Sequence, residues 1–267
     1  MNILTTIILG IIQGVTEFLP VSSSGHVLIF SKLLGGVGSF EFDVLVSFGT
    51  LFAVVIYYRK RLVEIILDLL KRRDMGLTLK LIVATIPAVV VGFFLQDIIE
   101  KFFHGVITVI IMLLVIGLFM VVSSRWKPNP TLGVNKDLHD ITYKQAFIIG
   151  LVQCVSLISG SSRSGVTMLA ALKQGFNTKV AAEWSFLMSI PVILGASMKV
   201  LVGEKGIQFI QTQTTTFIVA NIISFVTGLA AIHILLKILQ QKGLYWFGWY
   251  RIALAVVLIV LLSVKII

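Results

Sequence analysis

The 267-residue chain is 57% hydrophobic and only 13% charged, against roughly 25% charged residues in soluble domains. That balance excludes an ordinary water-soluble domain and makes lipid the expected solvent. The formal net charge of +10 is assigned to basic cytoplasmic loops and not to a nucleic-acid surface, and the one cysteine, Cys154, excludes an internal disulfide.

The first apolar stretch covers about residues 3 to 19. Met1-Asn2-Ile3-Leu4 carries no basic n-region and no small-residue cleavage site follows, so this stretch is expected to belong to the mature protein. A helix of that length reaches about 24 Å, short of a ~30 Å hydrocarbon core. It runs straight into Ser22-Ser23-Ser24-Gly25 and a second apolar piece follows, the pattern of a re-entrant helical hairpin. Broken backbone at that depth is tolerated only where it is buried in protein or faces water. Segments long enough to cross come next, near residues 43 to 58, 77 to 95 and 105 to 122. A second short segment, 143 to 158, meets a second Ser/Gly cluster at Ser159 to Gly165. Further spans follow near 183 to 202, 216 to 236 and 249 to 267. Pro87 and Pro191 are expected to kink their helices, Glu183 and Ser185 to cap or support a span, and Trp246, Trp249 and Tyr250 to anchor at the interface. The predicted fold is therefore an all-α integral membrane protein: six transmembrane helices plus two re-entrant helical hairpins in a single membrane domain, 1 to 267.

Basic residues assign the sides. Arg59, Lys60, Arg61, Lys71, Arg72 and Arg73 share one loop; Arg125, Lys127 and Lys136 another; Lys173 with Lys179 and Lys237 with Lys242 follow. With two hairpins that return to their own side, all of these fall on one face. The opposite loops, near Glu41, Asp97 to Lys101 and Glu204 to Lys205, are poor in cations. The basic face is expected to be cytoplasmic, with both termini outside.

The chain also repeats itself at an offset of 140 residues. Gly10-Ile11-Ile12-Gln13-Gly14-Val15-Thr16 aligns with Gly150-Leu151-Val152-Gln153-Cys154-Val155-Ser156, and Ser22-Ser23-Ser24-Gly25 with Ser162-Arg163-Ser164-Gly165. The halves run from about 1 to 122 and from 143 to 267. Three spans between the copies give them opposite orientations, and an inverted-topology repeat with broken helices places a polar site near the midplane.

The residues at these breaks suit an anion. Gln13 and Glu17 are four apart and share a helix face. A carboxylate in an apolar helix costs on the order of 2.5–3.5 kcal/mol on insertion scales, which favours a function or a partner. Pro20 ends the helix, and Ser22, Ser23, Ser24, Gly25 and His26 follow. In the second copy Arg163 stands among Ser161, Ser162, Ser164, Gly165 and Thr167, a guanidinium among hydroxyls and N–H groups at a helix start. Together the copies suit phosphate: Arg163 binds it, the hydroxyls of Thr16, Ser22, Ser24, Ser161, Ser162, Ser164 and Thr167 with Gln13, Gly25 and Gly165 line it, and His26 or Glu17 moves a proton. Each feature has a plainer reading, close helix packing for the Ser/Gly clusters and a structural ion pair for Glu17 with Arg163. Their matched places in the two copies favour a site. No zinc-type Cys/His spacing, Walker loop or dinucleotide fingerprint occurs.

At these motifs the chain resembles the undecaprenyl-diphosphate phosphatase family, also called the bacitracin-resistance protein family, over essentially its whole length. Gln13 to His26 meets the family pattern (E/Q)GxTEFLPxSSxGH in full, and Gly160 to Thr167 meets PGxSRSGxT except that Ser159 stands in place of the proline. Ala181 to Leu187 is similar to AAxFSFL, with Trp184 in place of phenylalanine. The resemblance implies a bacterial membrane enzyme that converts undecaprenyl diphosphate to the monophosphate lipid carrier of cell-wall synthesis and inorganic phosphate. It implies a site opening to the outer face and a divalent cation, Mg or Ca, with Glu17 as the candidate ligand. It implies Glu17, Ser23, His26 and Arg163 as the catalytic set, with either Ser23 or water as the nucleophile. The family's frequent second acid falls at Gln13. Membrane lipid is the expected surrounding partner, and an oligomer is compatible with the sequence. A reading from another class is an inverted-repeat transporter or flippase for a polyprenyl phosphate. The other membrane phosphatase type, with similar PSGH and SR elements, also has His-x-x-x-Asp and Lys-x6-Arg-Pro elements that this chain lacks.

Overall fold

The structure is a computed structural model and describes residues 1–35, 39–72, 75–103, 105–125 and 137–266. Arg73, Lys127, Lys136 and Ile267, and the side chains of Arg72, Asp97 and Lys242, lie outside the described residues. Every regular element among those described is helical.

Helix α1, Ile3–Phe18, starts where the Asn2 side chain accepts the Thr5 N–H, and it stops as Leu19 turns extended ahead of Pro20. Helix α2 is Ser23–Leu33; α3, Phe40–Leu45, and α4, Ser47–Tyr57, together form one apolar stretch, Phe40–Tyr57. Then come α5 Arg59–Leu67, α6 Gly76–Phe94, α7 Gln96–Phe103 and α8 Val106–Ser123. In the second half α9, Tyr143–Gln153, tightens into a 3-10 turn at Cys154–Leu157, and α10 Arg163–Lys173, α11 Thr178–Val202, α12 Glu204–Thr212, α13 Thr214–Lys242 and α14 Tyr245–Ser263 follow. Six stretches are long and apolar enough to cross a membrane: Phe40–Tyr57, Gly76–Phe94, Val106–Ser123, Thr178–Val202, Thr214–Leu239 and Tyr245–Ser263.

Three boundaries differ from the apolar pattern, each for a local reason. Helix α11 begins at Thr178, before its apolar run, because Asn177 caps it by accepting the Val180 N–H. Helix α13 continues through a polar last turn to Lys242, since no breaker comes before Gly243 at φ 58°. Helix α14 begins at Tyr245 and so takes Trp246 into the helix. Pro87 and Pro191 both lie inside helices.

Helix ends recur at the sequence offset. Helices α2 and α10 start and stop at matched positions, and Asn2 and Thr142 cap α1 and α9 in the same way. Gly35 and Gly175 follow α2 and α10 with φ of 99° and 88°.

Lipid tails are as apolar as leucine, so helices in a bilayer associate through close packing at small residues. Helix α1 lies along α13, α9 along α6, and α8 crosses α14. Each crossing passes over glycine: Gly14 against the Ser224 backbone and the Thr227 hydroxyl, Gly150 against Ala84, and Gly117 against Gly248. Large side chains such as Phe93, Phe94, Leu118, Phe119 and Val256 point outward, while Gln13, His26, Ser162 and Arg251 are buried. This distribution suits a multi-pass membrane protein. A Cβ on Gly14 would run into the α13 backbone, whereas one on Gly195 meets nothing within 4 Å. Gly14→Val is therefore expected to destabilise the protein by about 1–3 kcal/mol, read as a lower thermal midpoint in detergent, with Gly195→Ala unchanged.

Candidate active site

The two breaks have the same local construction. Ser22 and Ser162, 140 residues apart, both take positive φ, 77° and 71°, a region non-glycine residues rarely occupy. Each accepts the N–H three residues on, Gly25 and Gly165, at 3.2 Å. Conformations of this kind cost of order 1–3 kcal/mol and persist only where the surroundings enforce them. Ser164 Oγ donates to the Leu19 carbonyl at 3.2 Å, tying the second break to the first.

The first helical residues after the two capping serines, Ser23 and Arg163, reach the same carboxylate. Ser23 Oγ donates to Glu17 Oε2 at 2.7 Å, and Arg163 Nη2 pairs with Glu17 Oε1 at 2.9 Å. Gln13 Nε2 donates to Glu17 Oε2 at 3.0 Å and to Ser47 Oγ at 2.9 Å. An amide at position 13 thus supports the carboxylate where a second acid would repel it. The second guanidinium nitrogen, Arg163 Nη1, donates to the Ser185 carbonyl at 2.9 Å. The Glu17 and Arg163 side chains are each only 11% exposed, so each charge needs the other, because a lone buried ion carries a penalty of several kcal/mol.

The remaining predicted residues divide. His26 does not turn to this pair: Nδ1 meets the Ser22 carbonyl at 2.7 Å and Nε2 the Tyr250 hydroxyl at 2.8 Å. Thr16 and Ser161 point their hydroxyl hydrogens at the carbonyls of Ile12 and Ile158, and Thr167 bonds Ser185 Oγ at 2.7 Å. These three hold helix ends and neighbours, as isolated hydroxyls inside apolar helices commonly do. The N–H groups of Gly25 and Gly165 are taken by the capping serines. What is left to meet an anion is Arg163, Ser23, the exposed Ser24 and the N–H groups at the start of α2 and α10. Glu183 caps nothing. It binds Arg61 Nε at 2.9 Å, with Asp137 at 3.0 Å and Glu64 at 3.1 Å on the same guanidinium. Burial opposes the Arg61 charge, but these partners outweigh it and hold its pKa above the usual value.

Two residues of α14 belong to the site and were not anticipated. Tyr250, read as an interface anchor, holds His26. Arg251 is fully buried and donates to the carbonyls of Pro20 (3.2 Å), Met112 (3.2 Å), Gly160 (2.6 Å) and Ser161 (3.1 Å). It therefore bolts both breaks to α8. The available signal was an arginine inside an otherwise apolar segment, which marks a functional position in a membrane helix by default.

Residues 6–257 match the family described as bacitracin resistance protein BacA. The chain belongs to this family. It is 39% identical over 272 residues to the undecaprenyl-diphosphatase of Idiomarina loihiensis, covering 98% of this chain and 99% of that one. The protein of the same name from Thermosipho melanesiensis is 40% identical over 261 residues, with 97% and 99% covered. That from Flavobacterium johnsoniae is 35% identical over 266 residues, with 98% and 96% covered.

The divalent cation that membership implies does not fit a resident site built from side chains alone. Among the described residues no three His, Cys, Asp or Glu converge, and both Glu17 oxygens already accept from Arg163, Gln13 and Ser23. Removing Arg251 would orphan buried carbonyls at about 1–3 kcal/mol each. Arg251→Met is expected to lower the thermal midpoint in detergent sharply, and Arg251→Lys to recover part of it because one ammonium reaches fewer carbonyls. A midpoint unchanged in Arg251→Met would remove the bolt from this account.

Proposed function

We propose that this chain is a membrane undecaprenyl-diphosphatase, releasing inorganic phosphate from undecaprenyl diphosphate and returning undecaprenyl phosphate to cell-wall synthesis. The observation that carries the reading is Ser23 and Arg163 on the two oxygens of Glu17: a nucleophile, a base and an anion-binding group in one buried place. A flippase needs the cation but has no use for a hydroxyl aligned on a carboxylate.

Phosphoryl transfer is largely positioning and electrostatic stabilisation. The terminal phosphate takes Arg163 from Glu17, leaving the carboxylate beside the Ser23 hydroxyl to accept its proton. Ser23 Oγ attacks the terminal phosphorus while its proton passes to Glu17 Oε2; the bond to the bridging oxygen breaks and undecaprenyl phosphate leaves with that electron pair. Water then attacks the phosphoserine, giving up a proton to His26, and Ser23 Oγ recovers its proton from Glu17. Ser24 and the N–H groups at the two helix starts hold the non-bridging oxygens. A divalent cation, Mg or Ca, would be held by the diphosphate oxygens and not by this chain's side chains, and would supply charge neutralisation there.

The architecture around this chemistry is read as two re-entrant hairpins related by an inverted repeat. The crossed pairing of α1 with α13 and α9 with α6 supports it, since each short helix packs on a long helix of the other half. With the basic loops cytoplasmic, both termini and the opening of the site lie on the outer face, and the prenyl chain runs along lipid-facing grooves between helices.

Phosphate release from a C55 diphosphate by purified protein in detergent tests the reading. Arg163→Ala is expected to lower it by about 10²–10³ or more while the protein still inserts; near-normal turnover would end the assignment. Ser23→Ala should fall as far, and turnover above about a tenth of wild type in that variant would make water the direct nucleophile. Chelator is expected to suppress turnover and added Mg or Ca to restore it, with no stoichiometric metal on the purified chain.

A further inference from the structure

His26 is 5% exposed, and neither of its ring nitrogens is open. A carbonyl oxygen only accepts, so the Ser22 carbonyl at 2.7 Å fixes a hydrogen on Nδ1. In the neutral ring the lone pair is therefore on Nε2, and the Tyr250 hydroxyl, 2.8 Å away, donates to it. The two rings are also nearly parallel, with centroids 5.9 Å apart and planes within 7°, which suits a phenol hydroxyl directed at the in-plane lone pair of Nε2. Tyr250 itself is 46% exposed. Any group that exchanges a proton with Nε2 must reach it through the phenol oxygen. His26 and Ser23 are three residues apart on α2, a spacing that puts them on neighbouring positions of one helix surface.

We propose that Tyr250 is a proton-relay residue of the site, with its hydroxyl standing between His26 and the attacking water. This rests on the phosphatase reading. As water attacks phosphorus, its proton moves to the Tyr250 oxygen while the phenol's own proton moves to His26 Nε2. The water oxygen forms the new P–O bond as the P–Oγ bond of the phosphoserine breaks, its electron pair staying on Ser23 Oγ, which takes the proton held by Glu17; the phenol ends neutral and the imidazole ends as imidazolium. Reversal of the same two transfers delivers the proton to the departing phosphate and resets the site. The pair explains why a histidine required for proton movement sits away from Glu17 and Arg163, and why an aromatic residue at the end of a span carries a hydroxyl.

Tyr250→Phe keeps the ring and removes the hydroxyl, which is both the relay oxygen and the donor to the buried His26 Nε2. In a wild-type preparation that releases phosphate from a C55 diphosphate, this variant is expected to lose about 10²-fold in kcat, with KM within about twofold and stability lowered by no more than one buried hydrogen bond, about 1–3 kcal/mol. In a His26→Ala background, Tyr250→Phe is expected to add no further loss, because both substitutions break one path. The solvent isotope effect supplies a second readout: a two-proton relay gives a curved proton inventory in wild type, and Tyr250→Phe should lose the curvature. Wild-type kcat in Tyr250→Phe, an equal further loss in the His26→Ala background, or a linear inventory in wild type would each overturn the relay. Inactive wild-type protein would instead overturn the phosphatase reading itself.

Discussion

The pairing of Glu17 with Arg163 at 2.9 Å is the constraint from which the rest of the site follows. Neither charge is tolerable alone inside a bundle surrounded by lipid, so the resting site satisfies Arg163 with protein atoms on both sides, Glu17 and the Ser185 carbonyl. On the proposed reading, a phosphate competes for the same guanidinium, and when it wins, Glu17 loses its countercharge next to a hydroxyl already hydrogen-bonded to it at 2.7 Å. Substrate binding and activation of Ser23 are then, on that reading, one electrostatic exchange.

The repeat explains how the two ligands of Glu17 come to converge. Ser23 and Arg163 occupy equivalent positions, each following a serine at positive φ that caps its helix. Both copies therefore aim the first helical side chain the same way from a similarly built break. The copies differ at the positions that meet: position 23 carries a hydroxyl and position 163 a guanidinium, while Glu17 has Leu157 as its counterpart. The buried Gln153, counterpart of Gln13, makes neither of the side-chain hydrogen bonds that Gln13 makes.

Sequence patterns made the long apolar stretches legible because lipid exposure demands continuous hydrophobicity, and the Gly/Ser motifs made the breaks legible because backbone there needs special residues. Helix ends were less visible wherever a polar cap extended a helix beyond its apolar run, as Asn177 does for α11. The short helices α5, α7 and α12 left no clear signal among charged residues. Glu17 and Arg163 stood out by residue type and position at the two breaks, whereas Ser23 was singled out from its neighbouring serines only by the family resemblance. The fate of Thr16, Ser161 and Thr167 was not legible, since a hydroxyl in a motif looks the same whether it faces a ligand or the preceding turn. Tyr250 and Arg251 were hidden for a different reason: their partners lie ninety residues or more away in the chain, and aromatic residues near a span end ordinarily sit in the interface.

Those two residues show what α14 contributes. Successive residues on a helix point about 100° apart, so Tyr250 can address the imidazole of α2 while Arg251 addresses the carbonyls of both breaks. Pro20 and the Gly160–Ser161 pair precede the strained serines by two residues or fewer, and Arg251 holds the carbonyls of all three. The positive φ of Ser22 and Ser162 then persists because its neighbours have no competing conformation that keeps those carbonyls satisfied in a dry interior. One cation in the last helix thereby fixes the two helix starts, and through them the angle at which Ser23 and Arg163 meet Glu17.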